Sequence, residues 1–253
     1  MTAVSQPDYR SPPAPVPILA ATSCDTDIVG HSSVAHQGED TVMTTEPDVQ
    51  PLLIDAGSQP PWSLRQHLTP AAGRSYILHV CSGPPREGSY HQFAVEQGLD
   101  TIDVDICIDP ELNVVHDDCW NLLQQLPQHP GVRALQADPQ CSTFSALLNR
   151  PGGPRPVRAA SGPGLYGLPD LSPSRAMKVK TDTILALRVA ALAKAFHEAG
   201  KPFVIENPAP RKAVPSIFNL NEYLALLELP GVNDHLFVQC PFGSYSVKPT
   251  LLR

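Results

Sequence analysis

Two short segments of this 253-residue chain carry the residues best suited to chemistry. Cys141 follows an apolar run and stands in the turn 138–145 (DPQCSTFS), where a thiol is a candidate nucleophile. Further along, a second apolar run ends in Glu206, Asn207 and Pro208, which places a carboxylate and an amide at another strand end. The pKa of a thiol, ordinarily about 8.5, must be lowered for the thiol to react well at neutral pH. The surroundings of Cys141 must therefore supply positive charge or a helix N-terminus.

The elements that position these residues follow from the pattern after Ser75, where apolar runs alternate with helical segments. That alternation is typical of βαβ units, so we expect an α/β fold with a Rossmann-like, doubly wound, mostly parallel sheet. The predicted strands are 76–81, 101–106, 132–137, 203–206 and 236–240, and the predicted helices are 89–97, 118–126, 174–199 and 219–229. On the longest helix, the stripe Ile184, Leu187, Ala191 and Ala195 is expected to face the core, and Gly200 to end the helix.

Composition divides the chain into two parts. Residues 1–73 are rich in Pro, Ser and Thr without sustained periodicity, which predicts an acidic, disordered arm in which only 51–54 and 62–68 are candidates to dock on the domain. Residues 74–253 form the expected folded domain. The six cysteines have no C-x-x-C spacing, so neither a metal site nor a disulfide framework is expected. With no apolar run near the ~20 residues of a membrane span and no secretory signal, we expect an intracellular, reducing location.

Charge is unevenly distributed in this chain of net charge -7. Residues 133–212 hold twelve basic and five acidic side chains, a balance of +7. A basic segment beside a candidate active site suits a phosphate-bearing substrate, with Arg150, Arg155 and Arg158 as the expected contacts. The alternative is ordinary solvated charge on a loop and a helix.

A cofactor site is predicted after the first two strands. Gly83 follows the strand 77–81 after a single serine, and Asp103 and Asp105 end the next strand, where doubly wound folds place an acid for ribose hydroxyls. We favour Asp105 because it lies nearer the strand end, the alternative being a solvated aspartate. The turn lacks the three-glycine spacing of pyrophosphate binders, which favours S-adenosylmethionine, a cofactor with a ribose and no phosphate.

Taken together, segments 77–83, 138–145 and 203–208 resemble motifs of the DNA cytosine-5 methyltransferase family, over roughly residues 75–253, and most closely a divergent branch found in mobile-element polyproteins. The resemblance implies DNA methylation in which Cys141 adds to carbon 6 of cytosine, Glu206 binds the polar edge of the base and Asn207 assists. It also implies that S-adenosylmethionine is held by Cys81, Ser82, Gly83, Asp105, Ile106, Asp117, Asp138 and Pro139. Asn113, His116 and Asp117 follow the second strand, where such folds often place a polar contact to adenine, and Asp117 could alternatively cap the helix near residue 118.

Other interpretations stay open. Gln140 and Pro208 stand where the family has proline and valine, and no target-recognition domain is expected within the chain. The second interpretation is therefore a decayed module that binds nucleic acid or protein in a larger mobile-element polypeptide. An amino-methyltransferase of the Asp-Pro-Pro-Tyr type shares Asp138 and Pro139 but has an aromatic residue where Cys141 stands. RNA is a possible substrate. His79 and His197 lack partners in sequence and are interpreted as structural.

Overall fold

A computed structural model describes residues 62–84, 86–149, 152–238 and 249–253. These residues form a mixed α/β unit with a six-stranded, mostly parallel sheet and five α-helices, which confirms the predicted α/β class. The strands are β1 (Tyr76–Val80), β2 (Asp100–Val104), β3 (Val132–Ala137), β4 (Phe203–Pro208), β5 (His235–Val238) and β6 (Pro249–Leu252). The helices are α1 (Trp62–His67), α2 (Tyr90–Glu96), α3 (Asp117–Leu123), α4 (Pro173–Glu198) and α5 (Asn221–Leu227).

The strands follow the order β2-β1-β3-β4-β6-β5 across the sheet. Neighbours from β2 to β4 pair in parallel, and β6 runs antiparallel to both β4 and β5. Every residue of β1 is buried, as expected for a central parallel strand covered on both faces. Strand β4 changes partner along its length, since Ile205 pairs with β3 whereas Glu206 pairs with Leu252 of β6.

The strand order reverses at β1, and this reversal positions the candidate site. From β1 the chain first crosses to β2 on one side and later to β3 on the other. In open α/β sheets, ligands bind outside the carboxyl ends of the strands at such a reversal. Gly83 follows β1 and Cys141 lies just beyond β3, so both lie at this point of the sheet edge.

Helix α4 packs against β3 and β4, but not through the predicted stripe. Its buried face includes Ala186, Val189, Ala193 and Phe196, whereas Ala191 of the predicted stripe is exposed. The prediction was wrong because apolar residues stand on more than one side of this helix, so spacing alone did not select the buried side. The helix ends as predicted, with Gly200 at a φ of +69° directly after the C-cap.

Helix α1 belongs to the packed unit although it falls inside the predicted arm. Leu64 and Leu68 are each 3% exposed and join the main core. The His67 side chain also contacts β2, with its Nε2 atom 2.8 Å from the main-chain oxygen of Asp103. Packing therefore begins before residue 74, and residues 1–61 of the predicted arm lie outside the described residues.

Candidate active site

The carboxyl edge of the sheet gathers most of the predicted site residues from four neighbouring strands. They are Cys81, Ser82 and Gly83 after β1; Asp105 and Ile106 after β2; Asp138, Pro139 and Cys141 after β3; and Glu206 and Asn207 in the last half of β4. Ala137 pairs with Ile205, so the next residues, Asp138 and Glu206, lie at the same level of the sheet. Parallel pairing thus joins segments far apart in sequence.

Asp105 links the turns that follow β1 and β2. One carboxylate oxygen accepts a hydrogen bond from the Gly83 amide at 3.0 Å, and the other accepts one from the Cys107 amide at 2.8 Å. Gly83 has a φ of +69°, and a Cβ atom added there would meet no atom within 4 Å, so the main chain faces open space. Each carboxylate oxygen can accept a further hydrogen bond, so Asp105 can still bind a ligand hydroxyl.

A cavity of about 120 Å³ opens beside Asp105. Apolar side chains from residues 104–115 and α4 form much of its wall. Three predicted cofactor residues line it, Cys81, Asp105 and Ile106. The lining also includes the polar residues Asn113, Gln140 and Asp182. An apolar wall with a few convergent polar groups is the kind of lining that small-molecule sites have.

Asp117 is not among the residues that line this cavity. It is the first residue of α3, its side chain is 74% exposed, and its carboxylate pairs with Arg188 of α4. An acid in the first turn of a helix is favoured by the helix dipole. Asn113, rather than Asp117, is the polar side chain that this loop brings to the cavity.

A larger cavity of about 300 Å³ lies at the other end of β4. Its wall includes His197, Phe203 and His235. Phe203 is the first residue of β4 and His235 the first of β5, and the lining also includes Leu252, the register partner of Glu206, but not Cys141. The larger cavity therefore does not coincide with the candidate catalytic residues. We give more weight to the carboxyl edge, where the strand order reverses and the candidate catalytic side chains converge.

Cys81 and Cys141 have different surroundings. Cys81 has a φ of +60°, unusual for a residue with a side chain, and burial, reinforced by the charges of Asp105 and Asp138, raises the pKa of its thiol to about 12. Cys81 is therefore an unreactive thiol at neutral pH. Cys141 is partly exposed and begins the 3-10 turn 142–144.

The turn that carries Cys141 is joined to β4 by a buried amide. Asn207, 3% exposed, donates from Nδ2 to the main-chain carbonyl of Pro139 at 2.6 Å. On the other side of Cys141, the Thr143 amide donates to a carboxylate oxygen of Asp182 on α4 at 2.9 Å. The turn is thus held from both β4 and α4.

Arg158, predicted to contact phosphate, is instead buried beneath this turn at 2% exposure. Its Nε donates to Thr143 Oγ1, and its terminal nitrogens donate to the Leu165 and Val179 carbonyls and to Thr183 Oγ1, each at 2.9 Å. Its guanidinium carbon lies 3.8 Å from the centre of the Phe144 ring. Burial lowers the pKa of Arg158 to about 10, so it stays charged at neutral pH and joins the turn, the 152–172 loop and α4.

Exposed positive charge near the turn comes from other residues. Arg155, Lys178 and Lys180 are exposed, and Arg175 is partly exposed. A terminal nitrogen of Arg175 donates to the Arg155 carbonyl at 2.8 Å, which connects the loop to the first part of α4. We call these four residues the basic surface; charge counting predicted a basic region but not which side chains expose it. Arg150 lies outside the described residues.

His79 forms a buried polar cluster that the sequence analysis missed. Its Nε2 lies 2.8 Å from Oδ2 of Asp138, and its Nδ1 lies 3.5 Å from Oδ1 of Asp103. Asp138 also accepts a hydrogen bond from Gln136. The pairing has no local signal, because His79 and Asp138 are 59 residues apart in sequence.

No family model matches the chain, and no curated protein or solved structure is significantly similar to it. Among the described residues, no helix is long and apolar enough to cross a membrane. The same part of the chain contains no group of three or more His, Cys, Asp or Glu side chains arranged to hold a metal ion. The described residues thus form a mixed α/β protein with a cavity beside Asp105 at the carboxyl edge of its sheet.

Proposed function

We propose that this chain is an S-adenosylmethionine-dependent methyltransferase domain, with a Rossmann-like doubly wound sheet, that acts on carbon 5 of cytosine in DNA. The observation that carries the proposal is the bond from Asn207 to Pro139, because it fixes the turn of Cys141 against the strand that bears Glu206. A nucleophilic thiol and a base-binding carboxyl group are needed on one substrate ring at the same time. Their strand ends are neighbours at the point where open α/β sheets bind ligands.

The residues around the 120 Å³ cavity fit the nucleoside part of S-adenosylmethionine. Ile106 and the apolar wall suit a flat heterocycle, Asp105 can accept from a ribose hydroxyl, and Asn113 offers both a donor and an acceptor. The open main chain at Gly83 allows close approach of the rest of the cofactor. When bound, S-adenosylmethionine supplies an electrophilic methyl group.

The chain's own side chains then have distinct roles. The Cys141 thiolate forms a bond to carbon 6 of cytosine, which makes carbon 5 nucleophilic, and Glu206 hydrogen-bonds the ring nitrogen that gains electron density. Once carbon 5 carries the methyl group, water takes the proton from carbon 5, the electron pair of that C–H bond restores the 5,6 double bond, and the Cys141–carbon 6 bond breaks to release the thiolate. Arg158 holds the turn in place through its hydrogen bond to Thr143.

The basic surface supports a nucleic-acid substrate. Arg155, Arg175, Lys178 and Lys180 lie on segments that Arg158 and Asp182 join to the turn of Cys141. Exposed lysine and arginine side chains can pair with phosphates as the target base enters the site. If the target lies in a duplex, it must leave the base stack, at a free-energy cost of a few kcal/mol.

One observation favours a second candidate, a decayed methyltransferase-like module that binds nucleic acid or protein without catalysis. Both carboxylate oxygens of Asp105 accept main-chain hydrogen bonds, from Gly83 and Cys107, so this residue already has a role in holding the turns together. An aspartate kept for that role would persist after cofactor binding had been lost. Trapping of a covalent intermediate separates the two candidates.

The test is to incubate the full chain with S-adenosylmethionine and duplex DNA that contains 5-fluorocytosine. Fluorine cannot leave carbon 5 as a proton does, so the catalytic proposal predicts a stable adduct that peptide mass spectrometry locates on Cys141. The Cys141→Ser variant should form no adduct. The control variant Cys107→Ser, which replaces an exposed thiol, should still form it. An adduct formed only with RNA would change the substrate class. Nucleic-acid binding without an adduct on DNA or RNA would favour the decayed module.

A further inference from the structure

The His79 cluster lies across three adjacent strands below the candidate site. His79 on β1 is the register partner of Asp103 on β2 and of Gln136 on β3. Its side chain is only 6% exposed, and each ring nitrogen faces a carboxylate, Nε2 towards Asp138 and Nδ1 towards Asp103. An unprotonated ring nitrogen would turn its lone pair towards an ionised carboxylate, so facing two carboxylates favours a proton on each nitrogen.

The charges around the ring favour that doubly protonated state. Burial of His79 disfavours a charge, but the interactions with Asp103 and Asp138 outweigh burial and raise its pKa to about 9. Burial would also raise the pKa of Asp103, but His79 and Thr101 lower it overall. Oδ1 of Asp103 is buried and accepts no hydrogen bond, so a neutral His79 would leave it without a countercharge.

Helix α2 supplies the other groups that face this cluster. The Tyr90 ring meets His79 edge to face, with 5.1 Å between ring centroids. His91 lies with Nδ1 3.4 Å from Oδ2 of Asp103. Burial, followed by the charge of Asp138, raises the pKa of Tyr90, so its hydroxyl stays neutral in the range where His79 titrates.

Asp138 connects this cluster to Cys141. Its amide donates to the Val80 carbonyl at 3.0 Å, and its carboxylate is held by His79 and by Gln136. The next residue, Pro139, accepts the hydrogen bond from Asn207. The start of the turn is therefore fixed through a side chain of β1 on one side and a side chain of β4 on the other.

We propose that His79 is a positioning residue, whose doubly protonated ring ties Asp138 to Asp103 and thereby sets the turn that presents Cys141. This role of His79 extends the proposed function, because it states what holds the turn that carries the nucleophile. Only the effect of His79 on catalysis rests on the proposed function. The geometric claim, however, does not require catalysis. It can be tested on the thiol itself.

The first measurement is the protonation state of His79 in the full wild-type chain, from nitrogen-15 NMR of the histidine side chains, with the His79 signals assigned by through-bond correlation to its own main chain. We expect two protonated ring nitrogens at pH 7.5 and a loss of one proton as the pH rises through about 9. A ring with a single proton at pH 7.5 would overturn the proposal. This result does not depend on whether His79→Gln folds.

The second measurement is the alkylation rate of Cys141 by iodoacetamide, followed by peptide mass spectrometry with the exposed Cys107 thiol as internal reference. Gln can donate to one carboxylate but carries no charge, so His79→Gln should change the Cys141 rate relative to Cys107 by at least about threefold near neutral pH, a change of about 0.7 kcal/mol or more. The matched control is His197→Gln, on α4 beside the start of β4, which should leave the relative rate unchanged.

The pH profile separates positioning through charge from general loosening. The difference between wild type and His79→Gln should shrink as the pH rises through about 9, because wild-type His79 then loses its charge as well. A difference that stays constant from pH 7 to 10, or an equal effect of His197→Gln, would overturn the proposal. If these results hold but wild type forms no adduct with 5-fluorocytosine, the methyltransferase proposal fails and the positioning role stands.

Discussion

The side-chain amide of Asn207 donates to the main-chain carbonyl of Pro139 at 2.6 Å, across 68 residues of sequence. This bond joins the strand that bears Glu206 to the turn that bears Cys141. It lies in the interior, where Asn207 is 3% exposed, so water cannot replace either partner. Local stability and the relative placement of the two candidate catalytic groups therefore depend on the same bond.

Asn207→Ala should lower the free energy of unfolding by about 1 to 3 kcal/mol, because it leaves a buried carbonyl without its donor. Asn207→Asp should cost at least as much, since a carboxylate would face the Pro139 carbonyl. Urea denaturation measures both changes. The matched control is Asn121→Ala at an exposed position of α3, which should stay within about 0.5 kcal/mol of wild type.

Asp105→Ala should weaken binding of S-adenosylmethionine by about 1.5 to 3 kcal/mol, the range for a hydrogen bond to a charged group. Asp105→Asn keeps one acceptor for the Gly83 or Cys107 amide and should fold more stably than the alanine variant. Calorimetric titration gives the affinities. Undetectable binding by the folded wild-type chain would contradict the cofactor assignment.

Arg158→Met should reduce the free energy of unfolding by about 2 to 4 kcal/mol, because several buried acceptors lose their donor together. Arg158→Lys should not restore it, since an ammonium group cannot reproduce the planar, forked geometry. Arg155→Met, a matched change at an exposed position, should have almost no effect. Equal losses for the Arg155 and Arg158 variants in chemical denaturation would speak against this role.

Nucleic-acid affinity should depend on salt through the basic surface and not through Arg158. Replacing Arg155, Lys178 and Lys180 together by Gln should flatten the slope of log affinity against log salt on duplex DNA by up to about 0.9 for each phosphate that the variant no longer neutralises. Fluorescence anisotropy at several salt concentrations measures the slope. An unchanged slope would mean that these side chains are only solvated.

Stability should fall as the pH rises from about 6.5 to about 9, because the folded state holds a proton on His79 that the unfolded chain has released. The contribution is fully present below 6.5, where both states are protonated, and is lost above 9. At about 1.4 kcal/mol for each unit of pKa difference, it amounts to about 3 kcal/mol. Urea denaturation of wild type and His79→Gln across this range should show the loss only in wild type.

Sequence patterns located the central strands β1, β3 and β4 because each contains a cluster of apolar residues. Strand β3 has the predicted bounds of 132–137, and β1 ends one residue before the prediction. The neighbourhood of Cys141 and Glu206 followed from a general property of parallel strands, whose carboxyl ends share an edge. On α4 the same kind of reasoning failed, since Ala191 was as apolar as the residues that are buried.

Long-range side-chain bonds were beyond sequence analysis. Arg158 looked like its exposed neighbour Arg155, and only the convergence of Thr143, Leu165 and Val179 around it explains why it is buried. A lone histidine in an apolar strand likewise showed no sign of two carboxylate partners. Such partners come from distant segments whose relative positions only the fold determines.

Strand β6 lies between β4 and β5 although it follows both in the chain. Ile205 and Arg253 exchange main-chain hydrogen bonds, and the Arg253 guanidinium pairs with Asp234, just before β5. During synthesis, β4 and β5 therefore leave the ribosome before β6, the strand that lies between them, has been made. Part of the sheet that carries Glu206 can therefore close only after residues 249–253 have left the ribosome.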